Sequence, residues 1–442
     1  MRNYDSYIES NIDWIGRIPL NWNVNSLKRI VKIKITDGPH ETPDFIDESG
    51  VPFISAEAIK DGKINFNYCR GYISKKQDKI YSKKCKPQLN DLFIVKSGST
   101  TGKIAIVDVE KDFNIWSPLA LVRLQHKYVP KYFYYYLQSN SFQNQVKVFW
   151  SFGTQPNIGM NVIERLYIVL PPDKEQQAIA NYLDAKTQAI DKKVSLLEQK
   201  IETYKKLKRT LINQTITKGL RSLSEVEMKD SGIFWIGQIP QHWEVKRFKD
   251  VLNLFTGNSI SDKNGFDYLE NSIPYVSTKD IDFNTNEINY ENGMYIPNSD
   301  KTFKRAKKGT CLLCIEGANA GKKYGILNQE VAFVNKLAAL KFKANRNFDK
   351  YLYYYIQSNA FSGEFFPLIN GLIGGVSVNK LKEFTILLPL KSEQEEIAKY
   401  LDHKTATIDA IVGNISKQIY TLKQLRKTLI NDVVTGKIKV IE

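Results

Sequence analysis

Apolar positions in two long stretches of this chain recur with the period of a helix. From Asp173 to about Thr217 there is neither glycine nor proline, and Ile190, Val194, Leu197, Ile201, Tyr204, Leu211 and Thr215 follow one another on alternating spacings of four and three, with Lys208 in the remaining slot. That spacing gathers them on one face of an α-helix. A second run, Ile408, Val412, Ile415, Ile419, Leu422, Leu429 and Val433, has Arg426 in the column of Lys208. Each run begins just beyond proline, at Pro171-Pro172 and at Pro389, and the first ends near Gly219, as helix start and stop signals require. About 45 residues rising 1.5 Å each span roughly 65 Å, more than a compact domain needs. The two helices are therefore expected to pair as an antiparallel coiled coil through Ile190, Val194, Leu197 and Ile201 of one and Ile408, Val412, Ile415 and Ile419 of the other. The alternative is two amphipathic helices, each packed on its own domain. Shorter apolar runs, Asp91–Val95, Lys103–Val107 and Cys311–Ile315, read as strands, and helices are expected around Val129–Ser139 and Phe348–Ser358. An α+β class follows.

Self-comparison then decides the organisation, because a missed repeat miscalls the fold. The segment from Asp13 to Val24 returns from Phe234 to Val245, displaced by 221 residues, and the segment Tyr132–Asn140 returns as Tyr351–Asn359, displaced by 219. From Leu170 the sequence LPPDKEQQAIANYLDAKTQAID returns from Leu388 as LPLKSEQEEIAKYLDHKTATID, with 13 of 22 positions identical. The chain is thus two halves, expected to form a pseudo-twofold internal repeat. Likeness is uneven within them. Residues 31–95 and 252–310 align only at scattered points such as Pro52/Pro274 and Ser55/Ser277. One scaffold carrying two divergent middles implies two different ligands, or two different sequences.

Charge narrows the ligand class. Of the 442 residues, 63 are Lys or Arg and 47 Asp or Glu, a net charge of +16, which points to a polyanionic partner. The two helical tails carry +4 and +3, which leaves +9 on the globular parts. Four cysteines are too few for a disulfide framework, the N-terminus has no apolar signal core, and no stretch approaches 18 consecutive apolar residues. A soluble chain in a reducing cytoplasm, away from any membrane, is the expectation.

The candidate chemistry lies in loops. Lys96-Ser-Gly98-Ser-Thr-Thr-Gly102-Lys103 recurs as Ile315-Glu-Gly317-Ala-Asn-Ala-Gly321-Lys322. A phosphate-binding P-loop needs four residues between its glycines and Ser or Thr after the lysine; here there are three, followed by Ile104 and Lys323. The functional reading is a turn touching DNA phosphate or bases through Lys96, Ser97, Ser99, Thr100 and Lys103, and through Asn319, Lys322 and Lys323. A plain hairpin turn is the other. Thr154, Gln155 and Asn157 in one half, and Asn370 in the other, stand in loops where amide and hydroxyl groups can reach base edges, although ordinary loop polarity accounts for them equally. The tyrosines at 132–136 and 351–355 read as packing rather than as base-stacking platforms. Cys311 and Cys314 read as part of a buried strand, not half a zinc site, and no metal is expected. Formal matches to a nuclease pattern, Asp44 with Asp61 and Lys63, and Asp173 with Asp184 and Lys186, are of the kind a Lys- and Asp-rich chain produces by chance. No adenine-methyltransferase tetrapeptide is present. No catalytic residue is assigned.

Taken together, three repeated motifs resemble the specificity subunit of type I restriction-modification systems: WIG-x-IP-x-x-W at 14–22 and 235–243, LP-x-x-x-EQ-x-x-IA-x-YLD-x-KT-x-x-ID at 170–191 and 388–409, and TLIN at 210–213 and 428–431. The resemblance implies two target-recognition domains (1–170 and 221–388), each reading one half of a split double-stranded DNA target. It implies that the central helix (171–220) and the C-terminal helix (389–442) separate them as a ruler and dock two modification subunits. S-adenosylmethionine and adenine methylation, and ATP, Mg²⁺ and cleavage, would belong to the modification and restriction subunits, and none of these cofactors to this chain. A self-contained nuclease with fused recognition domains is the rival from another class.

Overall fold

A computed structural model describes residues 3–152, 155–220, 226–260, 270–343, 347–369 and 374–440; Thr154 and Asn370 lie outside these. The two long helices extend over Asp173–Lys218 and Lys391–Val434. Asp173 and Glu175 lie in the first turn of the central helix, where acidic groups oppose the helix dipole favourably, and Gly219 ends it in the left-handed region at φ 75°. Among the described residues, no helix is long and apolar enough to cross a membrane.

The chain forms two compact units, and these do not coincide with the two halves of the repeat. One comprises residues 1–198 with 417–442, the other residues 199–416. Each long helix is therefore divided between the units, and each unit is completed by the tail of the other half.

In the first unit the helices run antiparallel: Arg426 donates to Asp191 at 2.9 Å, and Lys423, earlier in its helix, donates to Glu198, later in the other, at 3.1 Å. Ile179 and Leu183 of the central helix share a core with Leu429, Ile430 and Val433 of the C-terminal one, and with Trp22, Tyr132 and Tyr136. The strand Leu92–Val95 lies between Ile104–Ile106 and Leu119–Val122, antiparallel to both. It is buried throughout, and its alternation serves two cores. Leu92 and Ile94 face the helical core, whereas Phe93 and Val95 face a second one with Ala105, Phe113 and Leu121. Strands buried on both faces read as unbroken apolar runs, which is why the sequence showed strands here and no face.

The second unit repeats this plan. Ile212 and Ile216 of the central helix join Ile397, Leu401, Trp243 and Tyr355 in the helical core. Along Cys311–Cys314, Cys311 and Leu313 point into that core, Leu312 and Cys314 into a separate one. Cys311 and Cys314 thus lie on opposite faces of one strand and cannot ligate one ion. Burial pushes the thiol of Cys311 far up, and that of Cys85 in the first unit up to about 12, so neither is a thiolate.

The divergent middles share more than their sequences suggest. Asn114–Ile115 runs parallel to Phe53–Ile54, and Ala332–Phe333 parallel to Tyr275–Val276. Gly38 approaches the first pair so closely that a Cβ would lie 1.8 Å from the Ile115 carbonyl oxygen; at Gly257 it would lie 1.7 Å from that of Phe333. Only glycine fits there.

Candidate functional site

The repeated motifs meet in a joint that holds the site. Glu175, buried in the first turn of the central helix, accepts from Trp22 Nε1 at 2.9 Å and from the Tyr4 hydroxyl. Its twin Glu393 accepts from Trp243 Nε1 at 3.1 Å and bonds His242 Nε2 at 2.8 Å. The neighbouring glutamines act alike. Gln176 accepts from Val129 N and donates to the Pro171 carbonyl, and Gln394 does the same with Phe348 and Pro389. The tyrosines are core: Tyr132 donates to the Val169 carbonyl and Tyr351 to that of Leu387, both at 2.9 Å. Burial pushes both phenols well above their usual range, so they remain donors. Tyr135 and Tyr354 reach Asp184 and Asp402 on the long helices. The asparagine of TLIN accepts from the first backbone N–H of a short helix in the opposite half: Asn431 Oδ1 from Asn140 N at 3.1 Å, at the start of Asn140–Phe149, and Asn213 Oδ1 from Asn359 N at 2.7 Å, at the start of Asn359–Phe365. Each of these helices is thus served by the tail of the opposite half. The polar slots in the seam are explained too, since Lys208 donates to both oxygens of Asp409 at 2.8 and 2.6 Å, and Arg426 Nε to one oxygen of Asp191 at 2.9 Å. Of the predicted seam residues, Val194, Ile408, Ile415 and Ile419 are buried, and Ile190, Leu197, Ile201 and Val412 half-buried.

On this frame, two loops distant in sequence are joined. In the first unit Gly98 N donates to the Pro156 carbonyl at 3.1 Å, Thr101 Oγ1 to the same oxygen at 3.0 Å, and Ile158 N to that of Lys96 at 2.8 Å; Ser97 and Asn157 form a β-bridge. In the second, Gly317 N donates to Gly374 at 3.2 Å, Val376 N to Ile315 at 2.9 Å, and Glu316 bridges Gly375. Gly98 and Gly317 turn at φ 98° and 87°, a region that side chains avoid. The loop nominated for DNA contact and the loop of Gln155 and Asn157 therefore form one surface.

The exposed tips differ between units. Ser99, Lys103, Gln155 and Asn157 are exposed in the first, with Ser97 and Thr100 half-buried; Glu316, Asn319 and Lys322 are exposed in the second. Lys323 is half-buried, with its ammonium on the Thr278 carbonyl at 3.0 Å. Lys96 turns inward. Its ammonium, in a side chain only 12% exposed, lies 3.1 Å from Asp37, which Lys84 also holds at 2.6 Å and His40 at 2.9 Å. Burial works against ionisation of Asp37, but hydrogen bonds from Lys84 and Lys96 outweigh it and hold the carboxyl below its usual range. Nothing in the sequence around Asp37 signals that burial.

Asp61 and Asp184, one from each formal nuclease match, stand in structural settings. Asp61 sits at φ 49° in the turn between Ile59–Lys60 and Lys63–Ile64, and Asp184 is taken by Tyr135 and Lys131. Among the described residues no group of three His, Cys, Asp or Glu side chains could hold a metal ion.

A family model described as the type I restriction modification DNA specificity domain matches residues 19–203 and 240–421, once on each repeat. The chain belongs to that family. It is a type I restriction-modification specificity subunit, a non-catalytic member of its system. It is 24% identical to the type I restriction enzyme MjaVIII specificity subunit of Methanocaldococcus jannaschii over 438 residues, covering 96% of this chain and 94% of that one. With the MjaIX specificity subunit of the same organism it shares 23% over 455 residues, covering 97% and 96%. Its fold is similar to that of a chain solved in work on complex assembly and conformational transition of the type I R-M system (TM-score 0.73, 16% identity, 95% and 99% covered). It is also similar to the HsdS subunit from Thermoanaerobacter tengcongensis (TM-score 0.52, 18% identity, 95% and 98% covered).

Proposed function

We propose that this subunit reads a bipartite double-stranded DNA target, one half-site per globular part, and directs partner subunits to it. The observation that carries this reading is the paired-loop surface, built on the same backbone hydrogen bonds in both units and tipped with different side chains. Phosphate contacts position a protein without telling sequences apart, whereas hydroxyl and amide groups at base edges discriminate. Ser97, Ser99, Thr100, Gln155 and Asn157 supply such groups for one half-site and Asn319 for the other, with Lys103 and Lys322 on phosphate. Lys96 and Lys323 support their loops from beneath. Thr154 and Asn370, outside the described residues, are part of the same proposal.

Two modification subunits, carrying S-adenosylmethionine for adenine methylation, dock on the long helices, and restriction subunits add ATP- and Mg²⁺-dependent cleavage, all in the cytoplasm. Leu207 and Leu425, equivalent across the repeat, are both about half exposed on those helices, as is Leu196; Ile411 is half-buried. Apolar surface of that kind supports a docking face. The recognition parts are 1–170 and 221–388, and the helical parts 171–220 and 389–442. Exchanging residues 25–168 for the corresponding part of a relative, followed by mapping of methylated adenines, tests the reading. One half-site should change and the other persist; a change in both sinks the two-reader scheme.

A further inference from the structure

The hairpin that opens each half has a face that packing within its unit leaves uncovered. In the second unit the strands Met228–Asp230 and Gln238–Pro240 enclose a loop whose tip is Phe234. The loop is braced: Ser231 N donates to the Gly237 carbonyl at 2.9 Å, Gly237 N to that of Ile233 at 3.0 Å, and Ile233 N to Ser231 Oγ at 3.1 Å. A stiff loop thus holds out a phenylalanine that is 99% exposed. Beside it, the half-exposed Trp235 donates to the Ala360 carbonyl at 3.3 Å and lies against Gly363, and Phe366 and Leu368 follow, also exposed. The first unit has the same loop, with Ser10 N on the Gly16 carbonyl at 3.0 Å. There Trp14 meets Phe149 edge-on at 5.7 Å, and Val148 is 59% exposed.

Two features define what covers these faces. First, the rims are acidic on a chain of net charge +16. On one hairpin Asp5, Glu9 and Asp13 are exposed against Arg17, which faces Glu9 at 3.7 Å, and on the other Glu227 and Asp230 are exposed against the half-buried Lys229, so each hairpin keeps a net negative charge; the exposed Lys147 stands beside Val148 at the first face. Carboxylates repel phosphates, so the faces do not address DNA. Second, the hairpins belong to the part of the sequence that repeats, not to the middles that diverge. The braced hairpin and its tryptophan, Trp14 or Trp235, recur although the tip residue does not, and a frame present twice fits one kind of partner present twice.

We propose that each hairpin face, Phe234 with Trp235 in one unit and Trp14 with Val148 and Phe149 in the other, seats one modification subunit through an apolar pocket rimmed by lysine or arginine. This rests on the partner reading above and adds a second contact to the helical one. The faces are not equal, because Asp13 stands where the second unit has Phe234, and a preorganised aromatic anchor is the stronger contact.

The test titrates the modification subunit onto the full chain and counts bound copies by mass photometry. Phe234→Ser touches no packing, so folding is preserved; it should weaken one of the two binding steps at least tenfold and leave the DNA affinity of the saturated complex unchanged. Val148→Ser with Phe149→Ser should weaken the other step less. Leu207→Asp with Leu425→Asp serves as the separate arm for helical docking. If the leucine variant abolishes the complex while Phe234→Ser binds both copies as wild type does, the hairpin proposal is overturned and the partner reading stands. If the wild-type chain binds no modification subunit, both fall. Loss of DNA affinity in Phe234→Ser, or self-association of the wild-type chain that this substitution removes, also overturns the proposal.

Discussion

Beneath the paired loops, the two units solve one packing problem with opposite chemistry. In the first, Asp37 and Lys96 form a buried ion pair; at the equivalent places the second has Thr256 and the buried Ile315. The surrounding strands, the glycine beside each acid or threonine, and the backbone bonds between the loops are the same. The fold therefore does not require the charges. A buried pair is seldom a net gain over apolar residues of similar size, but losing one member leaves the other uncompensated. The pair is a local commitment of the first unit.

Substitutions that break this equivalence should have the largest effect. Asp37→Ala leaves the Lys96 ammonium nearly buried without its partner and should cost about 3–5 kcal/mol in the first unit, read by urea unfolding of the full chain. Asp37→Thr with Lys96→Ile installs the second unit's solution and should return to within about 1 kcal/mol of wild type. A double variant as unstable as the single one would show that the units are not interchangeable at this position.

At the loop tips the comparison concerns recognition. Gln155→Ala should relax discrimination within the first half-site by roughly 1–3 kcal/mol if it makes a bidentate base contact, and leave the second half-site untouched, as seen by mapping methylated sites. The two asparagines of TLIN should behave alike. Asn431→Ala and Asn213→Ala each remove one hydrogen bond to a helix's first N–H and should each cost about 1 kcal/mol of stability, Asn431→Ala in the first unit and Asn213→Ala in the second, although each residue belongs to the other half of the repeat. The smallest effect is acid sensitivity. Because the Asp37 carboxyl is held low, its contribution is complete above the ordinary carboxylate range and is lost as pH falls through the lowered value. The unfolding midpoint of the double variant should accordingly drop less between neutral and strongly acidic pH than that of the wild type.

The long helices, the tyrosine helices and the strands at 92–95 and 311–314 were legible because each is written locally, in period or in an unbroken apolar run. The glycine loops were legible as loops. That they join the Gln155 segment was not, since Gly98 and Pro156 are far apart in sequence and no pattern in either names the other. The inward turn of Lys96 escaped for the same reason: a lysine in a polar loop looks exposed until Asp37 is folded beneath it. Gly38 follows a strand of only two residues, too short to show a period, and Gly257 follows Leu252–Thr256, where nothing in the local sequence names Phe333 as the neighbour.

The sequence alone determined the repeat, the helical seam and the family, because the residues that build the joint between hairpin and helix recur together in both halves. Only the tertiary structure decided which half completes which unit. Asn431 accepts from Asn140, Arg426 takes Asp191, and Lys208 takes Asp409, pairings across more than 190 residues. An antiparallel pair of helices carries the tail of each to the start of the other, and such a contact depends on chain geometry rather than on any local preference.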